Sequence, residues 1–331
     1  MLKLIFLGTS SGVPTPRRNV SALAIKSSSS KKWLLVDVGE GTQQRLQYSG
    51  LSLKELMAVC ITHVHGDHCY GLLGLLASAG MSGRREPLLL IAPAAILHWF
   101  TLSAQLTDLH LGYEVQLIDN SSIEAAALEI GEGISLQSHV LHHRVPCHAF
   151  SVKALQRQSR LDTDTVIAAG IPKGKLWGQL QQGQDIGYEG KSYRHADFVL
   201  SETRQVHAVI GGDNDQPELL TDVCLQADVL VHEATFSQAT LDKVGRSHMH
   251  SSAAMLGKFA QQVQLPSLIL THFSPRHHDE QGQAELQQDA AQYYQGQLFL
   301  AADFDEYALK PGAQLTRTAT GLPWEKQAAE G

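Results

Sequence analysis

Apolar positions along the chain fall first into short runs of strand period separated by turn residues, and later into runs that alternate with helical stretches. LKLIFLG, VSALAIK and KWLLVDVG, with the turn material TSSGVPTPRR and SSSSKK between them, predict a locally paired β-meander. LMAVCITH predicts a buried strand that ends on His63, and CYGLLGLLASAG predicts a helix starting just after HGDH. Further strands are predicted at LLLIAP, ISLQSHVLHH, AFSVKAL, HAVIGGD, ADVLVHEA, SLILTHF and LFLAADF. Helices are predicted around AAILHWFTLSAQL, LLTDVCLQ, SSAAMLGKFAQQVQ and AELQQDAAQYY. Strands that pair locally first and alternate with helices later predict an α/β (α+β) fold in which two mixed sheets are sandwiched between helices.

With 331 residues, 43% of them hydrophobic, the chain can bury a full core. The opening MLKLIFLGTSSG is too short and wrongly flanked for a signal peptide, and no later run reaches the roughly 18 apolar residues of a membrane span. The expectation is a soluble, cytoplasmic protein with no membrane partner. Cys60, Cys69, Cys147 and Cys224 are scattered without metal or disulfide spacing, which suits a reducing compartment and a packing role. A net charge of -7 argues against a general phosphate binder, so any contact with nucleic acid has to come from local patches. One stretch departs from this balance. From Ser151 to about Tyr193, Lys153, Arg157, Arg160, Lys173 and Lys175 stand against Asp162 and Asp164, and GIPKGKLWGQLQQG is rich in Gly and Gln. Residues 154–193 are therefore predicted to be an insertion into a domain spanning 1–316, and the aperiodic 317–331 a disordered tail.

The chain has 17 histidines, many of them bunched, and histidine is the commonest metal ligand. The densest group is His63-Val64-His65-Gly66-Asp67-His68 at the end of a strand-type run. Alternate side chains at a strand end share a side, so His63 and His65 can serve one metal while the turn swings Asp67 and His68 toward another. Further ligands are offered where later apolar runs end: His143 or its neighbour His142, Asp213 after VIGG, and His272 after LILT.

In the same order, HVHGDH, LHHRVPCHAF, GGD, HEATF, HMHSSAA and LTHFSPRH resemble the metallo-β-lactamase superfamily and, within it, ribonuclease Z, the tRNA 3'-processing endonucleases. The likeness runs from FLGTSSGVPTPRRNVSALAI to AADFDEY, and HEATF, the histidine of HSSAA and the GIPKGKLWGQLQQG segment carry it toward ribonuclease Z. The resemblance implies the metallo-β-lactamase fold and two zinc ions per chain, with manganese as the other metal to consider. It assigns His63, His65 and His143 to one ion, Asp67, His68 and His272 to the other, and Asp213 as the bridge. It prefers His143 to His142 because the family places its ligand seven residues before an aromatic, here Phe150. Three departures bear on positioning: HAF stands for the family's FGY, GGDN for SGDT and GLLGLL for GLPGLL.

The implied reaction is hydrolysis of precursor tRNA after the discriminator base, leaving a 3'-hydroxyl on the tRNA and a 5'-phosphate on the trailer. Asp67 is expected to be the general base, and His250, oriented by Glu233, the proton donor to the leaving oxygen. Arg17 and Arg18, in the loop after the first strand, are expected to take phosphates at the rim of the site. Lys153, Arg157, Arg160, Lys173 and Lys175 are expected to grip the tRNA backbone, and a homodimer is implied by the likeness alone. Two alternatives share these motifs: a small-molecule phosphodiesterase or aryl-sulfate ester hydrolase of the same superfamily, and an inactive RNA-binding module.

Overall fold

The computed structural model describes residues 1–28 and 30–322, leaving aside the side chains of 157–159 and 201. It divides into two compact units, residues 1–154 with 206 onward, and Leu155–Gln205.

The first unit is built on two sheets. One has eight strands in the order Thr316–Ala319, Glu306–Leu309, Leu2–Gly8, Ala22–Ser27, Trp33–Val36, Leu56–Cys60, Leu88–Ala92, Val115–Asp119. The other has seven, in the order Gln297–Leu300, Ser267–Thr271, Val229–Glu233, Val199–Ile210, Cys147–Leu161, Ile134–Leu141, Leu128–Gly131. Both sheets are mixed. The first pairs antiparallel through the early meander and parallel from Trp33–Val36 onward, and the second is parallel across Val199–Ile210, Val229–Glu233, Ser267–Thr271 and Gln297–Leu300.

Alternation along the strands separates the layers. Leu4, Phe6, Ile25, Leu34, Phe150, Val152, Ala208 and Val231 fill the space between the sheets. Leu7, Leu35, Val59 and Leu90 face outward and pack on Leu72, Leu75 and Leu76 of the helix Leu72–Met81. On the other side, Ala149, Val209, Leu230 and Leu268 meet Leu256 and Phe259 of the helix Ala253–Gln262 and Leu286 of the helix Glu280–Ala291. The layers are thus helix, sheet, sheet, helix, as the sequence predicts.

Three expectations need correction. The strand expected to end on His63 stops at Cys60, so the ligand motif begins in the loop beyond it. Of the tail expected to be disordered from residue 317, Thr316–Ala319 pairs antiparallel with Glu306–Leu309, and 323–331 lie outside the described residues. The second unit begins one residue later than expected and continues to Gln205. It has its own apolar centre, with Leu161, Val166, Ile171, Leu180, Ile186 and Phe198 buried, two short helices at Thr163–Ala168 and Lys175–Gln181, and the hairpin Ile186–Tyr188 with Lys191–Tyr193.

Candidate metal centre

The site is assembled from loops that follow strands of both sheets. The loop after Leu56–Cys60 brings His63, His65, Asp67 and His68. The second sheet brings His143 after Ile134–Leu141, Asp213 after Val199–Ile210, Glu233 at the end of Val229–Glu233, and His272 after Ser267–Thr271. Backbone strain collects here. Asp37, Met249 and His272 all have positive φ, at 60°, 55° and 57°, which costs a residue with a Cβ about 1–3 kcal/mol and persists where surrounding contacts enforce it.

Two ligand groups result. His63 Nε2 lies 3.0 Å from His65 Nδ1, which lies 3.3 Å from His143 Nε2. His68 Nε2 lies 3.2 Å from His272 Nε2, and Asp67 Oδ2 is 3.4 Å from His272 Nε2 and 3.6 Å from His68 Nε2. Asp213 stands between them. Its Oδ2 is 3.6 Å from His63 Nε2 and 3.8 Å from His143 Nε2, and its Oδ1 is 3.4 Å from His68 Nε2 and 3.5 Å from His272 Nε2.

The outward nitrogens decide whether these groups fit a metal. His143 Nδ1–H donates to Met249 O at 3.0 Å and His68 Nδ1–H to Asp37 Oδ2 at 2.7 Å. His63 Nδ1–H donates to Thr62 Oγ1 at 2.9 Å, and that hydroxyl donates to Asp37 at 3.0 Å. His272 Nδ1–H donates to Thr235 Oγ1 at 3.0 Å, and that hydroxyl donates to Glu233 Oε2. Two His–Thr–carboxylate relays therefore hold one tautomer, with each Nε2 lone pair turned inward. Lone pairs facing one another at 3.0–3.3 Å repel unless a cation sits among them, and a set of imidazoles and carboxylates suits a divalent metal. The residues form groups that could hold divalent metal.

Beside the ligands, Glu233 Oε1 accepts from His250 Nδ1–H at 3.0 Å and from the Asn214 amide at 3.0 Å. Burial opposes charge on His250, but the Glu233 carboxylate and its hydrogen bond, with Asp213 behind, raise the imidazole to about 9. Burial likewise opposes charge on Glu233, and the attraction of His250 outweighs it, so the carboxyl is held below its usual range. Gly12 N–H donates to Asp67 Oδ2 at 2.7 Å, fixing the carboxylate from the loop after the first strand. A cleft of about 510 Å³ opens over these groups, lined also by Val13, Glu40, Tyr70, Arg144 and His248.

The structure brings together all seven expected ligands, together with His250 and Glu233. His142 points away, with its Nδ1 2.6 Å from Asp215 Oδ1. Arg18 is not at the rim. Its guanidinium is buried, donates to Thr9 Oγ1, Ala301 O and Gln283 Oε1, and stacks on Phe273, so it braces the loop from beneath, while Arg17 is exposed. Lys153 is not in the inserted unit. It stands on the second sheet opposite Ser135, where its charge adds to burial, the larger cause, in disfavouring the charged forms of His139 and His207. Arg160, Lys173 and Lys175 are exposed on the inserted unit, and the Arg157 side chain lies outside the described residues. Sequence reasoning missed Asp37, Thr62 and Thr235. Asp37 had a signal, a carboxylate directly after the apolar run WLLV, but nothing local marks the two threonines.

A family model described as Anti-Pycsar protein Apyc1 matches residues 2–167. A ribonuclease Z of Pseudomonas putida (strain GB-1) is 44% identical over 93% of this chain and 97% of its own length. One of Marinobacter nauticus is 41% identical over 95% and 98%, and one of Brevibacillus brevis 34% identical over 84% and 86%. Among solved structures, human tRNase Z, short form, superposes with a TM-score of 0.64 at 24% identity, covering 93% of this chain and 99% of that one. The metallo-β-lactamase fold protein YhfI from Bacillus subtilis gives 0.63 at 18% identity, covering 92% and 98%. These two likenesses carry the fold alone. The chain has the metallo-β-lactamase fold, matches the Apyc1 model over the half that carries the HVHGDH motif, and over nearly its whole length belongs to the ribonuclease Z family.

Proposed function

We propose that this protein is a two-metal endoribonuclease that removes the 3' trailer from precursor tRNA, leaving a 3'-hydroxyl on the tRNA and a 5'-phosphate on the trailer. The observation that carries the chemistry is the placement of Asp213, whose two oxygens face two separate histidine groups. His63, His65 and His143 would hold one ion, Asp67, His68 and His272 the other, and Asp213 both; zinc is the expected metal. When bound, such a pair lowers the pKa of water and offsets charge on a phosphoryl group. Asp67, steadied by the Gly12 amide, accepts the proton of the attacking water. His250, held by Glu233 Oε1 and charged by it, gives a proton to the departing ribose 3'-oxygen, a poor leaving group without one.

The inserted unit Leu155–Gln205 supplies the grip on tRNA. Its exposed Arg160 lies near the end of the strand Cys147–Leu161, Lys173 just before and Lys175 at the start of the helix Lys175–Gln181, while Arg194 and Arg204 are paired with Asp197 and Glu202. Backbone contacts of this kind position a nucleic acid without reading it. Family likeness extends the proposal to a homodimer working in the cytoplasm, which light scattering and fractionation test.

The experiment is side-by-side incubation of purified, metal-analysed protein with a precursor tRNA and with methyl 4-nitrophenyl phosphate. Cleavage at a single position, with a 3'-hydroxyl on the tRNA product, supports the proposal. Hydrolysis of the small diester with precursor tRNA left intact would overturn it in favour of a small-molecule phosphodiesterase.

A further inference from the structure

The lining of the cleft is chemically uneven. Arg144 follows His143 in the chain and His248 lies two residues from His250, whereas the Tyr70 ring lies over Gly66, next to Asp67, and Glu40 follows Gly39, where a Cβ would come within 2.4 Å of Asp67 O. The two members of the second pair are brought together by backbone packing. Val38 N–H donates to His68 O at 2.8 Å, Gly71 N–H donates to Val38 O at 2.9 Å, and a Cβ on Gly71 would come within 2.3 Å of Gly39 O.

Tyr70 is the most solvent-open of the exposed aromatic side chains Tyr48, Tyr70 and Tyr293, at 66%, and it lines the cleft. Its ring is laid over Gly66 so closely that a Cβ there would meet Cε2 at 2.2 Å. A side chain this exposed is ordinarily free to rotate. Here a glycine inside the ligand motif makes room for one ring position, with one face on the backbone and the other to solvent. That is the form of a stacking platform, and every nucleobase has a face to stack on it. The Glu40 carboxylate, which lines the same cleft, repels phosphate, which favours a base over the backbone there.

Resting on the function proposed above, we infer that Tyr70 is a base-stacking platform for the first nucleotide of the trailer. The side follows from the proton donor. His250 serves the departing 3'-oxygen of the tRNA, so the tRNA end lies along its wall. The opposite wall is open to the nucleotide that keeps the phosphate.

The test is kcat/KM for wild type, Tyr70→Ala, Tyr70→Leu and Tyr70→Phe on three precursor tRNAs: intact, abasic at the first trailer nucleotide, and abasic at the nucleotide before the cut. Metal content and melting temperature are measured on each protein. Expected is a loss of about 10-fold for Tyr70→Ala and Tyr70→Leu on the intact substrate, near-wild-type cleavage by Tyr70→Phe, and metal content unchanged. On the trailer-abasic substrate the wild type should fall to the level of these variants, with no further loss from the substitutions. On the other abasic substrate their full effect should remain. Tyr70→Leu keeps bulk over Gly66 without a π face, so its cleaving like wild type would overturn the inference even if Tyr70→Ala folds badly. An undiminished effect on the trailer-abasic substrate would also overturn it. Wild type that fails to cut intact precursor tRNA would remove the function itself, whereas normal wild-type cutting with indifferent variants removes only the platform.

Discussion

Gly212→Ala is a single-methyl change that should break the centre without touching a ligand. A Cβ at this position would lie 2.6 Å from Cys147 Sγ, 2.8 Å from His148 O and 2.8 Å from Thr62 Cβ. Ordinary contact is near 3.5–4 Å, so the surroundings must yield by about 1 Å. One neighbour is backbone and another is the threonine that orients His63, so neither gives way cheaply. The strain falls on Asp213, the next residue, which stands between the two proposed ligand groups. Overpacking of this kind costs about 1–3 kcal/mol, and a displacement of about 1 Å at a reacting centre costs about 10²-fold in rate. The expected outcome is a lowered melting temperature, substoichiometric metal by mass spectrometry, and precursor tRNA cleavage reduced about 100-fold. Gly211→Ala meets only the His232 ring at 3.0 Å and the Val231 carbonyl at 3.3 Å, and should be milder. Adding Cys147→Ala to Gly212→Ala removes one of the three clashes and should recover part of the loss. Full metal and wild-type cleavage in Gly212→Ala would refute the steric account.

His143→Ala should lose metal and activity, while His142→Ala, whose ring faces Asp215, should keep most of both; equal loss would undo the ligand assignment. His250→Ala should slow precursor tRNA cleavage by about 10² or more and leave an activated aryl phosphodiester nearly unaffected, since a nitrophenolate leaves without a donated proton. In Glu233→Gln the attraction that raises His250 is removed while burial remains, so the imidazole deprotonates at lower pH. The alkaline limb of the pH–rate profile should move to lower pH than in wild type, and an unmoved limb would separate Glu233 from proton donation. Replacing Leu155–Gln205 by a short Gly/Ser linker should leave metal content and small-diester hydrolysis near wild type and abolish precursor tRNA cleavage, because the seven proposed ligands lie outside it. Uncut activity on tRNA in that variant would dispose of the gripping role.

The layers and most of the proposed ligands were legible because both depend on local signals. Period-two apolar runs at LKLIFLG and VSALAIK announce strands, and four ligand-type residues within six positions announce a metal loop. Choosing His143 over His142 needed either the family spacing or the fold, since adjacent residues present the same chemistry and only the turn decides which ring faces inward. Thr62 and Thr235 were invisible because a hydroxyl gains meaning from its two partners, and those come from distant strands. Arg18 misled for the opposite reason. Beside Arg17 in a turn it looks solvated, but Thr9, Ala301, Gln283 and Phe273 form a buried socket for it. The edge strands Val115–Asp119, Leu128–Gly131 and Thr316–Ala319 were missed because most of their residues are only partly covered and carry little apolar contrast.

Each ligand group draws on both sheets: His63 and His65 meet His143 and Asp213, and Asp67 and His68 meet His272. A bound ion would therefore be a clasp between halves of the sandwich as well as a reagent. Any ligand that binds only the folded chain adds RT ln(1 + [L]/Kd), about 2.7 kcal/mol at 100 times Kd, to the free energy of unfolding. Scarcity of metal would then threaten the persistence of the fold together with turnover, and the protein's lifetime would follow the supply of the ion it uses.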